Sequence, residues 1–141
     1  MAVKAPHRIL HTMLRVSDLD TSLEFYIERL GMRLLRRQRY ESGCFTLAFL
    51  GYGEESDVTV LELTHNWAPT NYELGTGYGH IALAVEDLDS TCKQLERDGV
   101  PILRAPGPMK FDSKEIIAFI ADPDGYQIEM IEIANESLFV K

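Results

Sequence analysis

The chain states one pattern twice, and that repetition limits its fold more than any other feature. The segment HTMLRVSDLDTSLEFYIERLGMRLLR from His11 is echoed by HIALAVEDLDSTCKQLERDGVPILR from His80. His11 aligns with His80, Val16 with Val85, and SDLDT with EDLDS without a gap. A one-residue slip then brings Gly31 onto Gly99 and Leu34-Leu35-Arg36 onto Ile102-Leu103-Arg104. Late in each half a glutamate stands inside an apolar run, in Val60-Leu61-Glu62-Leu63 and in Gln127-Ile128-Glu129-Met130. Each half thus opens on a histidine and closes on a glutamate at nearly the same separation. Self-similarity of this kind marks a supersecondary unit that must be paired to bury its apolar face.

The first half reads as β-α-β-β-β. His11–Val16 alternates with period two, placing His11, Met13 and Arg15 on one face and Thr12, Leu14 and Val16 on the other. A helix follows, with Thr21 and Glu24 at capping-box spacing, an apolar stripe through Leu23, Phe25–Ile27 and Leu30, and Gly31 as the stop. Strands are predicted over Met32–Arg37, Phe45–Leu50 and Val58–Thr64. On the last of these Glu62 shares a face with Val60 and Thr64. The second half repeats the order: a strand over His80–Val85, a helix over Ser90–Arg97 stopped by Gly99, and an extended piece at Pro101–Arg104. A strand over Ile116–Ile120, a turn at Asp122-Pro123-Asp124-Gly125 and a strand over Tyr126–Ile133 complete it. The fold class is α+β: two paired βαβββ modules, about 8–67 and about 77–134, in a single domain spanning 1–141. The stretch Asn66–Thr76 is the joint, and the tail from Asn135 to Lys141 carries no signal.

Composition narrows the function classes. The 141 residues are 45% hydrophobic and 26% charged, as in a soluble folded domain. A net charge of -8 argues against nucleic acid or an acidic membrane surface as the main partner. It leaves room for a small anion held by a few local arginines. No run is long enough to span a bilayer, and MAVKAPHRIL lacks the apolar core of a secretory signal. Cys44 and Cys92 fall at unrelated places in the halves, so a disulfide framework is not expected and a cytoplasmic setting fits.

A single strand histidine is most often structural, and a single strand glutamate usually points to water. Their joint recurrence at one module position changes that reading, because buried carboxylates are costly unless paired or metal-bound. If the pseudo-twofold of the repeat brings His11, Glu62, His80 and Glu129 together, two imidazole nitrogens and two carboxylate oxygens converge. Such a set suits a borderline divalent ion with room for water: Ni²⁺, Co²⁺, Zn²⁺, Mn²⁺ or Fe²⁺. The lack of cysteine ligands argues against a closed structural zinc site.

Several motifs in order carry a resemblance: HTMLRV at His11, LEFYIERLGM at Leu23, FLGYG at Phe49, LELTHNW at Leu61, YGHIALAVED at Tyr78 and DPDGYQIE at Asp122. From His11 to Glu132 the sequence resembles the glyoxalase I (lactoylglutathione lyase) family of the vicinal-oxygen-chelate superfamily. The resemblance implies metal ligation by His11, Glu62, His80 and Glu129. It also implies isomerisation of the methylglyoxal–glutathione hemithioacetal to S-lactoylglutathione, with glutathione as co-substrate. Glu129 is implied as the proton-transferring base, and Glu62 serves the other face of the substrate. Arg15 of the LRV motif and Asn66 of the THNW motif match the family's glutathione-binding residues, and His80 also faces the substrate. Leu47 and Phe49 fall where the family lines a pocket for the thiohemiacetal carbons.

The short chain and the histidine in first position resemble the bacterial type, for which nickel or cobalt is favoured over zinc. The zinc-type enzymes carry an arginine shortly before the second histidine. Here that place is Thr76, and Lys110 of PGPMK is the substitute candidate for a substrate carboxylate. The family further implies a homodimer with active sites at the subunit interface, His11 and Glu62 of one protomer meeting His80 and Glu129 of its partner. Other readings within the superfamily are a coenzyme A-ester epimerase, an extradiol dioxygenase, or a non-catalytic module that sequesters a ligand.

Overall fold

The structure is a computed structural model that describes residues 4–133; the C-terminal tail considered above lies outside the described residues. The chain divides into two compact units, one ending at Tyr72 and the other beginning at Glu73.

The first unit contains β1 (His11–Arg15), α1 (Leu19–Glu24), β2 (Arg33–Tyr40), β3 (Phe45–Gly51) and β4 (Val60–Asn66). Helix α1 runs on into a wider π-helical turn, Phe25–Arg29. The strands form one sheet in the order β1-β4-β3-β2, with β1 parallel to β4 and the other pairs antiparallel. The capping box predicted at Thr21 and Glu24 is corrected. Asp18 is the N-cap, and its carboxylate accepts from the Thr21 backbone N–H at 3.1 Å. Aspartate wins because it sits at the extended residue just before the first turn, where a side-chain oxygen reaches the orphan N–H three residues on. The repeat supplies the same device at Asp87 and Ser90, also at 3.1 Å.

The second unit contains β5 (Ile81–Val85), α2 (Leu88–Arg97), β6 (Ile102–Met109), β7 (Asp112–Ala121) and β8 (Gln127–Glu132). Its sheet order is β5-β8-β7-β6, with β5 parallel to β8. Strand β6 runs five residues past the predicted Arg104, through Pro106 and Pro108. Its prolines are tolerated because β6 is an edge strand, and register shifts mark where ladder hydrogen bonds are missing.

Each unit has one apolar face covered by its helix. Val16, Leu50 and Leu63 are fully buried in the first unit, with Tyr26 at 1% exposure. In the second, Leu88, Leu95, Ile120, Ile128 and Met130 are shut from water, and α2 lies against β6, β7 and β8. Each such side chain contributes about 1.5–3 kcal/mol when fully buried. The helix-covered face therefore carries stability, and the opposite face is left for chemistry.

Candidate metal centre

Strand pairing determines what the uncovered face of the first sheet displays. Arg36 lies opposite Phe49, Phe49 opposite Glu62, and Glu62 opposite Met13. By the period of two, His11 and Arg15 share that face on β1, Thr64 and Asn66 on β4, and Leu47 and Phe45 on β3. The result is a polar row across an otherwise apolar surface. His11 Nε2 stands 2.9 Å from Glu62 Oε1, with the carboxylate side chain only 12% exposed. The Thr64 hydroxyl donates to the other carboxylate oxygen, Oε2, at 3.2 Å. The His11 and Phe49 rings meet edge to face at 5.5 Å between centroids, which fixes the imidazole plane.

Behind Phe49 lies a second polar assembly. The Arg36 guanidinium sits 3.6 Å above the Phe49 ring centroid and donates to Glu55 through Nε at 2.7 Å and Nη2 at 3.1 Å. That two-point hydrogen bond lowers the Glu55 carboxyl pKa and raises that of Arg36. Arg36 also reaches Gln38, which accepts from the Tyr40 hydroxyl.

The second unit reproduces the centre of this arrangement and drops its surroundings. His80 Nε2 stands 3.2 Å from Glu129 Oε1, and the glutamate side chain is 15% exposed. Phe119, opposite Glu129, meets His80 edge to face at 5.4 Å. The residues around them differ: Ala82 and Ala84 replace Met13 and Arg15, and Ile131 stands where the first unit has Thr64. Arg104, the repeat partner of Arg36, donates to the carbonyls of Pro108 at 2.6 Å and Ile117 at 3.1 Å. It is spent on satisfying the bulged edge strand.

The spacing of the donors fits a divalent ion. Two neighbouring ligands at right angles on a centre with bonds of about 2.1 Å stand about 3.0 Å apart. Both nitrogen–oxygen separations, 2.9 and 3.2 Å, suit that spacing. Each unit holds one pair, and no group of three or more His, Cys, Asp or Glu side chains is gathered among the described residues.

The remaining predicted residues fall as follows. Arg15 lies opposite Thr64 on the uncovered face. Asn66 donates through Nδ2 to the Tyr72 hydroxyl at 3.1 Å. Phe49 is buried and Leu47 half-buried, both on that same face. Lys110 is exposed in the tight turn between β6 and β7, its ammonium 5.3 Å from the Phe111 ring centre. Sequence reasoning did not single out Arg36, Glu55, Phe119 or the hydroxyl of Thr64. Thr64 was within reach, since period two already put it beside Glu62. Glu55 was not, because its contact with Arg36 crosses a loop with no periodic signal. Cys44 and Cys92 are both free, Cys44 exposed and Cys92 buried.

Comparison with known proteins gives the family. Residues 8–130 match the Glyoxalase/Bleomycin resistance protein/Dioxygenase superfamily, and the chain belongs to it. Within that class it is 56% identical over 125 residues to the lactoylglutathione lyase of Neisseria meningitidis serogroup B, covering 89% of this chain and 90% of the relative. Glyoxalase I of Leishmania major, described as trypanothione-dependent, superposes with a TM-score of 0.81 at 46% identity, over 90% of this chain and 87% of that one. Glyoxalase I of Zea mays superposes at 0.86 and 42% identity over 91% of this chain. This chain spans 45% of the maize protein's length.

Proposed function

We infer that the chain is a lactoylglutathione lyase, isomerising the hemithioacetal of methylglyoxal and glutathione to S-lactoylglutathione. The observation that carries this is the pair of repeat-related His–Glu couples, 2.9 and 3.2 Å apart, in a chain so similar to lyases of that name. His11, Glu62, His80 and Glu129 are the residues to hold a divalent ion, nickel or cobalt in preference to zinc. When bound, such an ion supplies Lewis acidity to the substrate's oxygen atoms.

The protein's own side chains then account for the proton's path. The reaction removes a proton from the carbon bearing sulfur and returns one to the neighbouring carbon, through an enediolate. Glu129 is the base that lifts and returns it, and this transfer contributes about 10²–10⁴-fold. Glu62 stays beside the other face of the substrate. Leu47 and Phe49 line the pocket for the thiohemiacetal carbons. Arg15 is the cation that meets a glutathione carboxylate, and Asn66 the amide that hydrogen-bonds the peptide; His80 adds a substrate contact. Lys110 is assigned to the remaining carboxylate.

In this reading the modules of about 8–67 and about 77–134 act as one domain. The protein works as a homodimer with active sites at the subunit interface, in the cytoplasm. No helix among the described residues is long and apolar enough to cross a membrane.

The test is thioester formation by stripped protein reconstituted with Ni²⁺, Co²⁺ or Zn²⁺, using glutathione and then trypanothione. Activity with nickel or cobalt, and a loss of about 10²–10⁴-fold in kcat for Glu129→Gln, is expected. Equal activity of Glu129→Gln and the parent would sink the assignment of the base. Activity with zinc alone would overturn the metal preference.

A further inference from the structure

The two glutamates occupy one module position, yet they are not held alike. Glu62 has both oxygens engaged, Oε1 by His11 and Oε2 by the Thr64 hydroxyl. Thr64 is 8% exposed, two residues along β4 on the same face, so its hydroxyl cannot turn to bulk water. Glu129 has Oε1 engaged by His80, while its second oxygen meets no hydrogen-bond donor among the described residues. The residue two positions on is Ile131, lying opposite Ile117 on β7 and Ala84 on β5. Both ladder neighbours are apolar, so no side-chain donor stands there to take the place that Thr64 has in the first unit.

We propose that Thr64 is a positioning residue that fixes Glu62 as the stationary ligand, and that Ile131, by lacking a hydroxyl, leaves Glu129 as the carboxylate free to move. The proposal rests on the four-ligand reading above and deepens it. Anchoring one oxygen from behind removes rotation of the carboxylate about its last torsion and presents the other oxygen in one direction. Partners of this kind orient metal ligands, and losing one typically costs 10–100-fold in metal affinity or activity. A base must instead swing between two carbons, and a second anchor would hold it back. A duplicated module that began with equivalent glutamates acquires a division of labour through one side chain on each strand.

The experiment measures Co²⁺ binding to stripped protein by calorimetry, the visible spectrum of the Co²⁺ form, and kcat and KM separately. Thr64→Val, close in shape to the parent, is expected to bind Co²⁺ about 10–100-fold more weakly and to shift the visible bands. Thr64→Ser, which keeps the hydroxyl, should stay within about threefold of the parent and so separates hydroxyl loss from packing loss. Ile131→Thr gives Glu129 the missing donor. It should lower kcat by about tenfold or more while Co²⁺ affinity is unchanged or tighter.

Parental Co²⁺ affinity in Thr64→Val, equal defects in Thr64→Val and Thr64→Ser, or a parental kcat in Ile131→Thr would each overturn the proposal. Glu62→Ala serves as the reference. If it binds Co²⁺ as the parent does, the ligand reading falls and takes this one with it. If it loses binding while Thr64→Val does not, the ligand reading stands and the role of Thr64 alone is refuted.

Discussion

The turn that feeds β8 allows a quantitative prediction. Asp122 is 4% exposed, and its Oδ1 accepts from the backbone N–H of Asp124 at 2.9 Å and of Tyr126 at 2.8 Å. Gly125 closes the turn with φ at 89°, a conformation that glycine adopts without steric cost. The Asp122 and Tyr126 backbones pair at 3.0 Å. Asp122→Ala removes the acceptor of two backbone N–H groups, one of them that of the buried Tyr126. At about 1.5 kcal/mol for each of the two bonds, the lower end for a charged partner, the loss is about 3 kcal/mol. For a chain of this size that corresponds to a fall in Tm of about 10 °C.

Asp122→Asn keeps the oxygen but not the charge, so about half the loss is expected. Scanning calorimetry of the three proteins at neutral pH is the assay. A fall of less than about 2 °C for Asp122→Ala would refute the reasoning, as would an asparagine variant no better than alanine. Because Tyr126 leads directly into the strand carrying Glu129, kcat of the folded alanine variant should drop as well.

Other outcomes follow from the same structure. Tyr52 is 57% exposed as a residue, but its hydroxyl donates to the Leu30 carbonyl at 2.7 Å, and desolvation there pushes the phenol up to about 12. A group whose pKa is raised on folding adds stability that is complete below its unfolded value, near 10, and vanishes as pH rises through about 12. The stability advantage of the parent over Tyr52→Phe, read from denaturant midpoints, should therefore shrink between those limits; a constant gap would contradict it. Metal linkage should be equally visible. Co²⁺ at about 100 times its Kd should stabilise the stripped protein by about 2.7 kcal/mol, chelator should reverse the gain, and His11→Ala should abolish most of it.

How far the sequence revealed this architecture depends on the kind of signal. The repeat and the period-two faces led to both four-stranded sheets, because alternation along a strand is local and the duplication cross-checks each assignment. Helix entry was misplaced at Thr21 because capping-box spacing was matched without asking which residue is extended; Asp18 and Asp87 recur in the repeat at the true position. The extended piece expected at Pro101–Arg104 is the start of a longer strand, β6, whose prolines fit an edge. The Arg36–Glu55 clamp was hidden for a different reason. It joins a strand to a loop nineteen residues away, and only the folded chain brings them together.

The donors of each pair stand on strands of different rank. Glu62 and Glu129 sit on β4 and β8, which are bonded along both sides, whereas His11 opens β1 and His80 immediately precedes β5, the sheet rims. A rim side chain packs beside one neighbouring strand of its sheet, and an interior one between two. Over evolutionary time the imidazole positions are thus the inexpensive places to exchange one donor atom for another, while the carboxylates are held by the sheet itself. On the proposed metal reading, a lineage can retune its choice of ion from the rim without relearning how to fold.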